Sequence, residues 1–299
     1  MKLAISIIIV SYNAKRCLEA CIESILLQRF KAYEIILIDN SSRKGYGQSI
    51  YRRYPQIHLI ENKDNPGPCK ARNQGIAVSK GEYILCLDHD TLLKEGFLSN
   101  IYNSIINDNH VGAIQPKVLR ADGKTVYSKG IYHSFIRRFH DLGSGKIDKK
   151  ENFINKRLFG VSCAAALYRK QALEDTREGD EYFDEDFFYV FEDVDLSWRM
   201  QNKGWYALYS PDAVCFHIAG RSRNRDDTAQ YLAIRNRYYT IIKNESLVGF
   251  MKLPVVFLLY DIWRNLFVLA RYPKSFIKAS SDTFRQLMKN IRKRKGCTA

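Results

Sequence analysis

Seven cysteines occur, an odd number, and no two of them form a Cys-x-x-Cys pair. The chain therefore offers neither the thiolate zinc spacing nor the dithiol redox motif. Cys17 and Cys21 stand four residues apart, on one face of an expected helix, and read as small core residues. A secretory leader is also missing. Met1-Lys2-Leu3-Ala4-Ile5 gives way to polar Ser11-Tyr12-Asn13 without a small-residue cleavage site. Both absences point to the reducing cytoplasm, and the sequons Asn40-Ser41-Ser42 and Asn244-Glu245-Ser246 then carry no meaning. Long apolar runs are lacking too. Leu253–Tyr260, the longest, falls far short of the roughly 20 residues that span a bilayer, so no crossing is expected. No glycine-rich loop follows the first expected strand. Gly45-Tyr46-Gly47 lacks the third glycine of a dinucleotide fingerprint and comes after the second strand.

What is present is enough for one large α/β domain with an appendage: 299 residues, 46% of them hydrophobic. The formal charge of +15 is unevenly spread. Residues 1–219 carry 30 Lys/Arg against 27 Asp/Glu, whereas residues 220–299 carry 17 against 5. A basic tail behind a near-neutral domain suggests an anionic partner, either membrane or nucleic acid.

The stretch that organises the rest is Tyr83-Ile84-Leu85-Cys86-Leu87-Asp88-His89-Asp90. Its apolar run reads as a strand buried on both faces, as in a parallel sheet. Asp88 and Asp90 then fall at the strand's carboxyl end, where open α/β sheets bind ligands. Two hard oxygen donors there suit Mg²⁺ or Mn²⁺ holding a substrate diphosphate. Alone, the pair reads equally as a polar turn.

Strands are likewise expected at Ile5–Val10, Glu34–Ile38 and Ile57–Ile60, and helices after Asn13 and over Cys69–Ser79. The β-α-β-α-β-α-β order argues for a parallel sheet with helices on its faces. Asn13 is placed to cap the first helix. Lys70, Arg72 and Asn73 cluster near the start of the later one, where basic and amide donors favour anions. Residues 120–158 are polar and basic, with Lys146, Lys149 and Lys150 near Gly143 and Gly145, and read as a functional or mobile loop.

A second acidic stretch interleaves carboxylates with aromatics: residues 180–195 end in Phe191-Glu192-Asp193-Val194-Asp195. These acids open an expected helix, where a first-turn carboxylate is also simply stabilising. Crowding and burial should nevertheless raise the pKa of at least one of them, which is the profile of a general base. Trp205–Tyr209 and Ala213–Phe216 read as two strands, and His217 follows at a strand end. There it serves either as a structural histidine or as the third ligand of an Asp/Asp/His metal site.

Taken together, Val10–Asn13, Ile38–Ser42, Asn65–Gly75, Gly81–Tyr83 with Leu87–Asp90, Phe183–Glu185 with Glu192–Leu196, and His217–Ser222 resemble a family-2 glycosyltransferase of the GT-A fold. The resemblance covers about residues 5–240. Its Glu-Asp-Val-Asp-Leu version is similar to the rhamnosyltransferase-like branch, which often uses dTDP-rhamnose. The resemblance implies a Rossmann-like mixed sheet flanked by helices, and transfer of a sugar from a dTDP- or UDP-sugar with inversion. It implies that Asp39 and the Ser11/Tyr12 loop hold the base, with Asn13 and Asn73 also on the nucleotide-sugar side. Arg72 and Asp88 would meet the nucleoside or diphosphate. Asp88, Asp90 and His217 would bind the metal, and Asp193 would act as base with Glu192 beside it. A nucleotidyltransferase acting on sugar phosphates is the competing class, although it usually shows a glycine-rich loop at the first strand. Nucleic-acid binding fits least, since no aromatic stacking motif accompanies the basic residues.

Residues 246–299 read as an amphipathic helical tail behind a catalytic domain over 1–245. Pro254 is expected to open a helix. Further on, Phe276/Ile277, Ser280, Phe284, Leu287/Met288 and Ile291 recur at helical spacing among lysines and arginines. A basic amphipathic helix suits an anionic membrane surface, here the inner face of the cell membrane, and membrane contact suits a lipid-linked acceptor. The same pattern also fits a helix packed on the catalytic domain.

Overall fold

The computed structural model describes residues 3–14, 16–42, 45–149, 157–218 and 227–297. Of the positions singled out above, Lys150 and Ala219–Ser222 lie outside the described residues. Strands β1 (Ile5–Ser11), β2 (Tyr33–Asn40), β3 (His58–Asn62) and β4 (Tyr83–Asp88) are parallel, in the spatial order β3-β2-β1-β4. Helices α1 (Arg16–Leu26), α2 (Tyr46–Arg53) and α3 (Pro68–Val78) connect them. The apolar run of β1 serves two layers. Ile5, Ile7 and Ile9 pack in one core and Ile8 in the other, because successive strand side chains point to opposite faces. Each such burial stabilises by about 1.5–3 kcal/mol.

Beyond Asp88 the chain adds β5 (Thr91–Leu93), α4 (Phe97–Ile106) and β6 (Val111–Arg120). Residues 120–158 are not one loop. Their described part forms β7 (Val126–Ser128), a β8 (Ile131–His133) and β9 (Phe139–Asp141) hairpin, and β10 (Arg157–Leu158). Lys117 and Lys129 staple the segment by meeting Asp148 at 2.9 and 2.8 Å. Then follow β11 (Ala165–Arg169), α5 (Lys170–Asp175), α6 (Glu192–Asn202) and β12 (Tyr206–His217). The sheet runs β10-β12-β6-β11-β4-β1-β2-β3, with β11 antiparallel to both its neighbours. The two strands expected around Pro211 are a single one. The chain bulges between Ser210 and Val214 because proline cannot donate to the ladder, and the same strand then continues along β6.

After β12 come α7 (Asp227–Asn244) and then, over the tail, α8 (Leu247–Val256), a π turn (Phe257–Asp261), α9 (Ile262–Arg271), α10 (Pro273–Arg285) and α11 (Leu287–Cys297). Pro254 does not open a helix. Ser246 caps α8 through the Gly249 amide, at 2.9 Å, and Pro254 lies inside it, just before the π turn. Val248–Arg271 is therefore one 24-residue helical stretch whose most apolar 18-residue window has a mean hydropathy of 1.6, long and apolar enough to cross a bilayer by length and composition. The expectation of no such span counted only unbroken runs, and Asp261, Arg264 and Asn265 interrupt this one. The expected amphipathic face over α10 and α11 is divided. Ser275 and Ala279 of α10 are buried, with Ala279 against Ile234, whereas Ile277 and Phe284 of α10 and Met288 of α11 are exposed. Lys289 and Lys293 are committed to Asp186 and Asp184. The last helix thus packs on the acidic stretch before α6, and these two lysines are not free for a membrane.

Candidate active site

Parallel pairing sets the carboxyl ends of three strands side by side. Ser11 is in register with Asp39, and Val10 with Asp88. Beyond β4, antiparallel pairing of β5 with β12 puts His217 opposite Thr91, next to Asp90. His217 Nε2 lies 3.3 Å from Asp90 and 3.6 Å from Asp88, and its ring stacks on Tyr127 at 4.3 Å between centroids. Ligand atoms of all three residues fall within 4.8 Å of one another, and two carboxylates with an imidazole form a donor set for a hard or borderline divalent cation. Burial acts to raise the Asp88 carboxyl, but the His217 hydrogen bond and the Arg72 charge outweigh it and hold it below the usual range. Asp90 is raised, chiefly by burial, with the Asp88 charge adding to the effect. A cation would relieve that crowding, so the residues present fit one.

Arg72 links this cluster to the second acidic stretch. Buried on α3, it donates to Glu192 at 2.8 Å and reaches Asp88 at 3.5 Å. Asp193 follows at the start of α6, where the Cys163 amide donates to it at 3.4 Å. It keeps part of its surface in the open cleft, yet its carboxyl is pushed up to about 8. Burial is the largest cause, followed by the charges of Glu192 and Asp141. The turn before it is strained: Phe188, Val190 and Phe191 have φ of 64, 67 and 74°. Asn236 of α7 holds it there, donating to the carbonyls of Phe187, Tyr189 and Val190 at 2.9, 2.9 and 2.7 Å.

Asp195, two residues on, faces away from the cleft. Residues i and i+2 of a helix do not share a face. Asp195 is fully buried against Lys243 and Arg199, whose charges overcome burial and lower its pKa. Lys243 Nζ sits among Glu178, Asp184 and Asp195 at 2.9, 2.6 and 3.1 Å. These carboxylates are close enough to hold a metal, but the ammonium already supplies the cation.

One cavity of about 910 Å³ is lined by Tyr12, Arg72, Asp88, Asp90, Glu192, Asp193 and His217. Four expected binding residues lie outside its wall. Ser11 is wholly buried, with a hydroxyl that has no hydrogen-bond partner. Asn13 is exposed with φ of 52° and donates its amide to Ser42, three residues before α1 begins, so it does not cap that helix. Asp39 is buried behind the cleft and accepts from the Ser42 amide at 3.1 Å. Asn73 is spent on the fold. Its side chain clamps the Phe183 backbone with two bonds of 2.8 Å, because the turn into the acidic stretch needs both partners. Conversely, Tyr127, Phe139, His140 and Asp141 line the cavity without having been singled out. They sit on short strands whose position depends on distant pairing. The carboxylate of Asp141, in a segment that reads as a functional or mobile loop, is the only signal the sequence offers.

The architecture is the GT-A fold. Among solved structures similar to it are GalNAc-T7 with UDP, GalNAc and Mn²⁺ (TM-score 0.64, 15% identity, covering 97% of this chain and 56% of that one) and Staphylococcus aureus TarS 1-349 with UDP-GlcNAc (0.62, 17%, 99% and 89%). A Pyrobaculum calidifontis mannosyltransferase with GDP-Man and Mn²⁺ is also similar (0.57, 15%, 99% and 85%). The chain belongs to glycosyl transferase family 2, whose family model matches residues 6–177. The glycosyltransferase GlyG of Streptococcus pneumoniae serotype 4 is 32% identical over 104 residues, 34% of this chain and 35% of that protein. The poly-beta-1,6-N-acetyl-D-glucosamine synthase of S. aureus is 22% identical over 216 residues, 72% and 50%. The chain thus spans half or less of the length of these curated relatives.

Proposed function

We propose that the chain transfers a hexosyl group from a nucleotide-diphosphate sugar to a hydroxyl of a glycan or lipid-linked acceptor, by a single inverting displacement. One observation carries this reading: a single cleft has Asp88, Asp90 and His217 in one part of its wall and Asp193 in another. Asp90 and His217, with Asp88, would hold Mg²⁺ or Mn²⁺. Such an ion, when bound, supplies Lewis-acid stabilisation of a departing diphosphate. Arg72 adds a fixed positive charge beside Asp88. Asp193 takes the proton from the acceptor hydroxyl, and its raised basicity suits that task. Tyr12, on the cavity wall, is the nucleotide side in this reading, with Ser11 and Asp39 buried behind it. The dTDP-rhamnose reading rests on Glu192–Leu196 alone. Residues 1–245 are the catalytic domain in this reading, and 246–299 an appendage that meets an anionic membrane.

A thermal-shift screen of nucleotide-sugars tests the proposal. One donor is expected to raise the melting temperature only with Mn²⁺ or Mg²⁺ present, and Asp90→Ala is expected to abolish that metal dependence. If no nucleotide-sugar stabilises the wild-type chain with either metal, the reading is wrong.

A further inference from the structure

The helical stretch Val248–Arg271 is amphipathic in an unusual sense: its polar stripe faces the protein. Asp261 is buried and accepts from Arg237 of α7 at 2.9 and 3.2 Å. One turn on, Asn265 donates to the Tyr238 hydroxyl at 2.8 Å. Val268 completes the seam against Ile234 and Ala279. The opposite side is left to solvent. Met251 is 80% exposed, Trp263 and Phe267 68%, Val248 65%, Leu259 64% and Leu258 62%. Only 17% of its most apolar window is buried. Isolated exposed apolar residues need no explanation, but a contiguous face of large ones does. Exposed Lys252 stands near the start of this stretch, exposed Arg271 ends it, and exposed Lys274 and Lys278 follow on α10, with the Lys278 ammonium over the Tyr231 ring.

Arg237 does more than hold Asp261. It also donates to the backbone carbonyls of Ile136 and Arg137, in the turn between β8 and β9. Arg137 in turn pairs with Glu245, at the entrance to α8. The β9 arm of that hairpin carries Phe139, His140 and Asp141 into the cleft beside Asp193. Phe135, 58% exposed, lies at the hairpin tip.

Building on the membrane reading above, we propose that the outer face of Val248–Arg271 lies flat in the headgroup–acyl boundary of an anionic bilayer, and that the Arg237 clamp holds the Asp141 side of the cleft at that surface, where a lipid-linked acceptor hydroxyl enters. Basic ends on an apolar face match anionic headgroups around an acyl surface. A flat rather than crossing orientation follows from the inner stripe. Crossing would strip Asp261 from Arg237 and leave a carboxylate in hydrocarbon.

The test is vesicle flotation of the full chain, with and without Trp263→Glu/Phe267→Glu. The wild type is expected to float with phosphatidylglycerol-containing vesicles, several-fold less with phosphatidylcholine alone, and to be extracted by alkaline carbonate. The double variant is expected to lose at least about tenfold in recovery while keeping the same donor-induced thermal shift. That shift is the folding control, and it separates this proposal from the one above: vesicle binding can fail while donor binding stands, and the reverse. Equal flotation of the variant overturns the docking face, and equal flotation with neutral lipid overturns the anionic partner. Carbonate resistance means a crossing helix instead. A wild-type dimer that the substitutions dissociate, without vesicle binding, assigns the face to a second copy of the chain.

Discussion

Replacing Asp193 by asparagine is expected to cut turnover by about 10²–10⁴-fold while sparing donor binding. The size follows from the role: a positioned base contributes in the transition state and little to the ground state. The carboxyl is pushed up to about 8, first by burial and then by the charges of Glu192 and Asp141, so only a minority is ionised at neutral pH. Wild-type kcat/KM should therefore climb about tenfold per pH unit toward pH 8 and then level off, and the residual activity of the variant should lack that rise. Stability gives an independent reading. An ordinary aspartate titrates near about 3.9. Between there and pH 8 the unfolded chain releases the proton that the folded chain retains, so the carboxyl destabilises the fold increasingly across this window. Asp193→Asn should melt above the wild type at pH 8 and higher, by about 1.5–2 °C per kcal/mol relieved, and no differently below pH 4. Retained turnover in the variant would remove Asp193 from the chemistry.

The second large effect is on the fold. Lys243→Met should destabilise by about 3–5 kcal/mol, on the order of 5–10 °C in melting temperature, because it removes the buried ammonium that Asp184, Asp195 and Glu178 share and leaves Asp184 with Lys293 alone and Asp195 with Arg199 alone. Asp184 and Asp195 are wholly buried beside that ammonium, and both are held below the usual carboxylate range against the cost of burial. Depressed carboxylates stabilise above their ordinary pKa and lose that contribution as pH falls through the folded value. The gap between wild type and variant should be full at pH 7 and narrow below about pH 4. Lys289→Met supplies the contrast. Its pair with Asp186 is half exposed, so it should cost at most about 1 kcal/mol. Equal losses from both substitutions in thermal melts would refute the assignment.

Asp88 and Asp90 are legible in the sequence because an unbroken apolar run must be a buried strand, and carboxylates must lie where it emerges. The same logic yields the parallel β1–β4 half of the sheet. His217 needs more. Its place beside Asp90 depends on the three-residue strand β5, too short to carry a periodic signal. Asp141 and Tyr127 reach the cleft from equally short strands. In the acidic stretch, spacing alone says that Asp193 and Asp195 face different ways, but not which one meets the cleft. That is decided by Lys243, 48 residues beyond Asp195. The orientation of the tail is not legible in its sequence. Amphipathic patterning normally assigns the polar stripe to water, whereas here Arg237 and Tyr238 turn it inward.

Diffraction at the manganese edge from crystals of the full chain grown with Mn²⁺ and a nucleoside diphosphate tests the central claim most directly. The account predicts one anomalous peak touching Asp90 and His217, the diphosphate against it, and the Asp193 carboxyl facing them across a space the size of a sugar. A peak among Glu178, Asp184 and Asp195, or a diphosphate bound away from this cleft, would contradict it.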